Sequence, residues 1–560
     1  MSSNMAAVFF KELVEETRSE LLLFGYRLPD NVVVIDKVLR ICNEYELSGE
    51  EFASEYVAFA YCNRLANEVS QDSLDIFVQQ LDKATASKER NKAHQFLSNS
   101  DALEQAANIS NELLAAYGVQ PRNSPSVVRL DSVSEAAIEK VLLRFGESSK
   151  TEWMYHASSK NVSVRPFDSS FCLSRTNRYM YQRNEDVSSL LSEKIEQLER
   201  LAVKEVLPPD SFFSRLGTVS DDSIYICGQL LSEFSRFKDN PLDVSIQGAL
   251  GDLVKLDLSL VPGCSIFPGQ VVAMHGTGKR GEFCANEFYA GVLPPAVEVN
   301  LSETVDHLSV FIAAGSFVSR NDFNLQPLHD LLNICKRHNP DILLLVGPFI
   351  SEKCNVIECV SQIGLENCFA QVISIISTAL RDSRTTVIVI SSSQDILAEP
   401  VFPCPPYSPA LLPMNPRILF FSDPSILRIN GLTFAVTSAD VIRHLSAEEV
   451  FNGSSSEPRI DRILKHLLLQ RSFYPLYPSA MELNLDVVAL IRYGQLPIIP
   501  NLFIIPSDCQ FFIKEICNCI FINPGRSVKR IYSRLEVNIN REFSHNPDLK
   551  RFVAAEIIRF

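Results

Sequence analysis

A carboxylate or imidazole in a loop just beyond an apolar run is the simplest device by which this chain could hold a cation and activate water. Four such loops stand out. They read Ala313-Ala314-Gly315-Ser316, then Gly347-Pro348 with Ser351 close behind, then Ser392-Ser393-Gln394-Asp395, then Ile505-Pro506-Ser507. Two cations about 3.5 to 4 Å apart require several carboxylates and histidines between them. The loops supply one acid, Asp395, so no catalytic residue and no metal ligand set is assigned. Gly315, Ser316, Pro348, Ser351, Gln394, Asp395 and Ser507 are the loop positions this leaves without a ligand set. His329, His338, His444 and His466 fall in expected helices or their flanks and are read as surface or core imidazoles. Gly315-Ser316 lacks the G-x-S-x-G elbow of a nucleophilic serine, and no phosphate-cradling loop or dinucleotide fingerprint is present. Gly276-Thr277-Gly278-Lys279 reads as a hairpin turn between two strands. No cofactor is expected.

The bulk composition narrows the classes further. At 560 residues, with 46% hydrophobic and 21% charged residues, the chain has the makeup of a soluble protein of several domains. It has no uncharged apolar run long enough to cross a bilayer, and its N-terminal MSSNMAAVFFKELVEE gains acids at once, so neither a membrane span nor secretion is expected. A formal charge of -15 opposes a surface that grips phosphate throughout. The 14 cysteines include no C-x2-C pair and are read as reduced, buried thiols.

The elements that would position the loops follow from periodicity. Residues 1–81 carry apolar residues at three and four spacing, with Ser48 and Glu51 spaced as a capping box, and are read as a helical bundle. Residues 82–164 are polar and read as a flexible linker, interrupted by a short helix around Ser132 to Arg144. Its Ser124-Pro125 pair makes Ser124 a candidate phosphosite. Residues 165–302 hold a helix from about Asp186 to Val203, then five short strands (SIYICGQLL, LDVSIQGAL, LVKLDLSLV, GQVVAMHGTG and EFCANEFYAGVL) with the rhythm of an OB-type barrel. Between Val206 and Asn300 six basic residues face eleven acids, a poor electrostatic funnel for single strands, so a protein-facing barrel with little direct nucleic-acid binding is expected. From residue 303 to 560 uniformly apolar runs alternate with helical stretches, which is the mark of strands covered on both faces in a layered α/β domain, with RFVAAEIIRF as a closing strand. The whole is multidomain, α+β and α/β.

The order of elements after residue 303 resembles the calcineurin-like phosphoesterases, whose D-x-H, G-D-x-x-D, G-N-H-[DE] and G-H-x-H motifs fall on the four loops. Measured against those motifs, the resemblance implies an inactive phosphoesterase scaffold. An OB barrel followed by such a domain resembles the B-subunit family of replicative DNA polymerases, and FPGQVVAMHG, GPFI, AVTSADVIRHLSAEE, ILKHLLLQRSFYPLYP, NLFIIPSD and FINPGRSVKR are similar to its polymerase α-primase branch, over about Phe167 to Phe560. The resemblance implies a non-catalytic scaffold subunit in the nucleus. It would hold the C-terminal zinc-bearing domain of the catalytic subunit, associate through the complex with the small and large primase subunits, and dock other replication factors through its N-terminal domain during RNA-DNA primer synthesis. Gln470, Arg471, Phe473, Tyr474 and Tyr477, in the QRSFYPLYP segment, are candidate partner contacts because aromatics anchor protein interfaces. Packing inside the domain is the competing reading. A metal-dependent phosphodiesterase and a single-strand-binding OB protein are the alternative functions.

Overall fold

The computed structural model describes stretches between residues 14 and 78, and residues 139–146, 162–232, 244–297, 307–318, 325–352, 365–407, 415–453, 457–538 and 549–560. Ser48 and Ser124 lie outside the described residues, as does most of the expected linker. The chain divides into two compact units, Met1–Ser132 and Val133–Phe560. In the first, helices α1 (Val32–Glu44) and α2 (Gly49–Cys62) bury Val38, Ile41, Phe52 and Tyr56 with Leu74 and Phe77. The rings do the packing: Phe77 meets Phe52 edge-on at 5.7 Å and Tyr56 at 5.4 Å, and the Tyr56 hydroxyl shares a 2.6 Å hydrogen bond with Ser73.

The second unit opens with two short strands, β1 (Lys140–Phe145) and β2 (Val164–Pro166), and helix α3 (Asn184–Glu205). Asp186 accepts the Arg183 N–H at the start of α3, and Glu185 and Asp186 lie in its first turn with Lys204 in its last, all in the sense the helix dipole favours. Six strands follow: β3 (Ser220–Ser232), β4 (Val244–Gln247), β5 (Leu253–Asp257), β6 (Gly263–Ile266), β7 (Val271–Lys279) and β8 (Glu282–Tyr289). Five of them close a barrel in the order β3-β4-β5-β8-β7, filled by Ile226, Leu230, Ile246, Val272 and Met274. These are the five strands expected from the apolar runs. The expected turn at Gly276 to Lys279 is corrected: these residues belong to β7, and the turn falls at Arg280-Gly281. The glycines are needed for close backbone approach, since a Cβ at Gly276 would lie 2.1 Å from the Cys284 carbonyl oxygen and one at Gly278 2.0 Å from that of Thr218.

The remaining strands and helices are β9 (His307–Ala314), α4 (Gln326–His338), β10 (Ile342–Val346), α5 (Leu365–Ala379), β11 (Thr386–Ile390), β12 (Ile418–Phe421), β13 (Ser425–Ile429), β14 (Leu432–Val436), α6 (Val441–Glu448), β15 (Val450–Gly453), α7 (Arg459–Leu469), α8 (Val487–Tyr493), β16 (Leu502–Ile504), β17 (Phe512–Ile516), β18 (Cys519–Asn523), β19 (Ile531–Asn538) and β20 (Val553–Arg559). They form two sheets, ordered β1-β20-β19-β9-β10-β11-β12 and β17-β18-β16-β14-β13-β2. Alternation along each strand builds four layers. On β9, Leu308, Val310 and Ile312 enter a core shared with Leu427, Phe434, Ile504 and Ile522 of the other sheet, while Phe311 and Ala313 face Leu331 and Val372 of α4 and α5. On the far side Ala435, Phe503 and Phe521 meet Ile442, Leu467 and Leu490 of α6, α7 and α8. The result is a mixed helix-sheet-sheet-helix sandwich.

Two expectations about the middle of the chain are corrected. Residues 140–145 are a strand, not part of a helix, and pair antiparallel with β20 from Lys140 opposite Arg559 to Phe145 opposite Ala555. β2 pairs with β13. The stretch up to Pro166 therefore supplies one edge strand of each sheet, and β20 is not a closing edge but lies between β1 and β19. The physical reason is that an edge strand needs only one partner and one buried face, so a short, charge-bounded run such as KVLLRF suffices.

Candidate functional site

The loops singled out by the sequence gather on one edge of the sandwich, where β9, β10, β11, β14, β16 and β18 all end. There the backbone fills the place of a cavity. A Cβ added to Gly315 would lie 1.7 Å from the Pro348 carbonyl oxygen, so the first two loops touch directly. A Cβ on Gly347 would meet Ser392 at 2.8 Å and the Tyr407 hydroxyl at 2.9 Å, which closes the second loop on the third. Ser316 Oγ is turned back on its own loop, donating to the Val318 carbonyl. Ser351 forms an isolated bridge with Asp395, and the Gln394 carbonyl accepts the Glu352 N–H, so both belong to the seam between loops.

Asp395, the one retained acid, is a structural acceptor. Its Oδ2 takes the Phe349 N–H at 2.6 Å and the Tyr407 hydroxyl at 2.7 Å, and its Oδ1 takes the Leu397 N–H at 3.2 Å. Burial pushes its carboxyl up to about 6 despite these bonds. Asp423, which follows β12, is likewise fully buried, accepts the Ser438 N–H and hydroxyl, and is raised to about 6 by burial.

Across the edge the loops are bridged by Arg526, a residue the sequence reading passed over. It follows β18 and is 8% exposed. Its Nε donates to Asp508 Oδ1 at 2.8 Å, one Nη donates to the Gly315 carbonyl at 3.3 Å, and the other lies 4.0 Å from Asp440 Oδ2. Asp440 is itself saturated, as Ser507 Oγ donates to it at 2.6 Å, the Asp508 N–H at 2.8 Å and the Arg443 N–H at 3.1 Å. Burial works to raise the Asp508 carboxyl, but Arg526 beside it holds it below the usual range. One guanidinium thus ties the first loop of one sheet to two carboxylates of the other. The readable signal was an arginine directly after an apolar strand, in NPGR, and a helix-capping aspartate in SADV. Among the described residues no three His, Cys, Asp or Glu side chains converge as a metal site would require.

The histidines are tied up elsewhere. His329 is exposed on α4, His338 lies 3.0 Å from Glu139, and His444 lies 3.0 Å from the Tyr474 hydroxyl. His466 Nε2 lies 2.8 Å from Ser265 Oγ, and burial lowers it to about 4. The same Ser265 donates to Glu449, a buried acid that also meets Arg459 and Arg462.

Most of the QRSFYPLYP segment faces inward, as the competing packing reading has it, while Arg471 and Tyr477 stay half-buried. Phe473 is fully buried and Tyr474 is 1% exposed, both in the core against α6 to α8. Gln470, 4% exposed, bridges to the barrel: its Oε1 accepts the Val271 N–H at 2.9 Å and its Nε2 donates to the carbonyls of Val271 and Ala290 at 2.8 and 2.7 Å. Arg471 donates to the carbonyls of Val292 and Leu293 at 2.9 and 2.6 Å, and the Tyr477 N–H donates to Pro268 at 3.1 Å. Pairing of β6 with β15 adds a ladder between the two bodies. The segment is the staple that holds barrel and sandwich together, because burying its aromatics removes a large apolar area from water and its polar ends meet backbone groups that would otherwise go unpaired.

Three family patterns match in chain order, all for the B subunits of replicative polymerases: the N-terminal domain of the DNA polymerase alpha B subunit at residues 15–82, the OB domain of the same B subunit at 188–291, and the DNA polymerase alpha/epsilon B subunit at 310–514. The chain is similar to the DNA polymerase alpha B subunit of Mus musculus, 29% identical over 570 residues and covering 92% of this chain and 93% of that one. To the Drosophila melanogaster protein of the same name it is 37% identical over 288 residues, 51% of this chain and 46% of that one. A solved structure described as a novel archaeal phosphodiesterase is 12% identical with a TM-score of 0.22, covering 42% of this chain and 94% of that one. With a helical unit, a closed barrel and a sandwich whose ligand-bearing edge is sealed, each falling under its matching pattern, the chain belongs to the DNA polymerase alpha B-subunit family.

Proposed function

We propose that this chain is the non-catalytic accessory subunit of DNA polymerase alpha-primase, a scaffold supporting RNA-DNA primer synthesis in initiation and lagging-strand replication. The observation that carries it is the sealed edge: Gly315 against Pro348, Asp395 spent on backbone and tyrosine, and Arg526 bridging Gly315 to Asp508. A stapled two-domain body offers a large fixed surface, and a stable partner needs on the order of 1,000 Å² or more of it. The partners are the catalytic subunit through its C-terminal zinc-bearing domain, the two primase subunits through the complex, and other replication factors through the first unit. The site of action is the nucleus. Affinity capture of the full chain at its natural level, with identification of the bound subunits, tests this: co-isolation with a polymerase catalytic chain is expected, and a lone monomer at every salt concentration overturns it. A parallel assay of the purified chain with Mn2+ and bis-p-nitrophenyl phosphate is expected to give no turnover.

A further inference from the structure

The segment before α3 and the outer side of α8 enclose a cavity of about 450 Å³, remote from the sealed edge. Its size falls in the usual range for ligand pockets. Its walls are fixed. The Met180 N–H donates to Asp486 at 2.7 Å, the Gln182 side-chain oxygen accepts the Val487 N–H at 2.9 Å, and Asn177 donates to the Tyr493 hydroxyl at 2.7 Å.

The charges in this wall are unevenly committed. Asp486 is 3% exposed and fully engaged, taking the Met180 and Ala489 N–H groups, and Asp186 takes the Arg183 N–H at 3.2 Å. Arg178 and Arg492 have no carboxylate partner among the described residues. Each lies instead over a tyrosine, Arg178 at 5.9 Å from the Tyr181 ring centroid and Arg492 at 5.5 Å from that of Tyr493. A guanidinium resting on a ring keeps its N–H edge free and oriented, which suits bidentate capture of a carboxylate. Beside them Tyr181 is 78% exposed and Met180 53% exposed, an apolar ledge on an otherwise solvated segment.

We infer that this cavity docks an acidic polypeptide segment of a partner, whose carboxylates pair with Arg178 and Arg492 while a neighbouring apolar side chain lies on Met180 and Tyr181. The inference rests on the scaffold reading and gives that scaffold one peptide-binding site of stated chemistry. A nucleic-acid strand fits less well. Its evenly spaced phosphates call for a run of cations where the wall offers two, Arg178 and Arg492.

The test uses the full chain and a fluorescein-labelled decapeptide of Glu and Asp interrupted by Phe and Leu. The same decapeptide with Lys for every acid and a short oligo-dT serve as comparison probes. Fluorescence anisotropy is expected to show the acidic peptide binding at least tenfold more tightly than either comparison probe. Binding is expected to weaken at least tenfold in the Arg178→Glu, Arg492→Glu double variant and severalfold in Tyr181→Ser, both with an unfolding temperature unchanged from the parent. Equal binding of acidic and basic peptides, tighter binding of oligo-dT, or undiminished binding by the variants would each overturn the proposal. Should the double variant unfold, Tyr181→Ser alone decides, because its ring is solvent-exposed. Co-isolation with the polymerase catalytic chain is measured alongside. Its persistence without peptide binding refutes the docking site alone, and its absence refutes the scaffold reading.

Discussion

Replacing Gln470 tests the claim that barrel and sandwich behave as one body. Its side chain makes three hydrogen bonds to barrel backbone, and Val271, which carries two of those partners, is 1% exposed. In Gln470→Ala a buried N–H and two carbonyls lose their partner, and each orphaned group costs about 1 to 3 kcal/mol, tempered by water entering the space left. A loss of about 3 to 5 kcal/mol is therefore expected. Gln470→Glu keeps an acceptor for the Val271 N–H but turns a carboxylate toward two carbonyl oxygens, so it is expected to destabilise at least as much although its shape is the same. Differential scanning calorimetry is the assay. The parent should unfold residues of both bodies in one transition, and the variants should show a separate, earlier barrel transition. A single transition displaced by less than about 1 kcal/mol in both variants would refute the staple, since it would mean that the β6–β15 ladder and the Arg471 bonds suffice without it.

Removing Arg526 should be expensive for a different reason. Arg526→Met removes the partner of Asp508 and the more distant of two cations beside Asp440, which keeps Arg443 at 3.6 Å, and is expected to lose roughly 1 to 3 kcal/mol in thermal unfolding, with Arg526→Lys recovering only part because one ammonium cannot span Asp508 and Gly315 together. The pH dependence has two opposing parts. Asp395 and Asp423 are raised in the folded chain, so between about 4 and 6 the folded state holds the extra protons and stability falls as pH rises. His466 is lowered to about 4, so between about 4 and 6.5 the unfolded state holds the extra proton and stability rises with pH. Relative to the parent, Asp395→Asn should lessen the fall between about pH 4 and 6 and His466→Gln should deepen it, as read from urea midpoints across that window. A chain begun at residue 133 should fold as the parent's second unit does, while one begun at 165 uncovers β20 and the apolar Leu142, Leu143 and Phe145 contacts, and should aggregate at equal concentration in light scattering.

The central strands were legible because burial on both faces leaves few polar residues in them: VFIAA, ILLLV, TVIVI and CIFIN announce themselves. β1, β2, β13 and β15 did not, since an edge or a short antiparallel partner is defined by what it pairs with, and Lys140 finds Arg559 across more than four hundred residues. The sealed edge was half legible. Pro348 and the missing acids showed what was lost, but nothing local says that Arg526, far along the chain, reaches Gly315. For QRSFYPLYP the density of rings marked a special segment without saying which way it faces, because aromatics serve interfaces and cores by the same burial.

The pairing of β1 with β20 also sets a schedule for synthesis. Arg144 and its partner Glu556 are 412 residues apart. At about 5 to 20 residues per second, the ribosome delivers the second roughly 20 to 80 s after the first. The barrel strands, all contained between residues 220 and 289, can close early in that interval. The seven-stranded sheet cannot, because β20 must slot between two strands already made. Throughout that wait the nascent chain carries an unfilled gap in its larger sheet, so the arrival of Val553–Arg559 decides when that sheet becomes safe from aggregation.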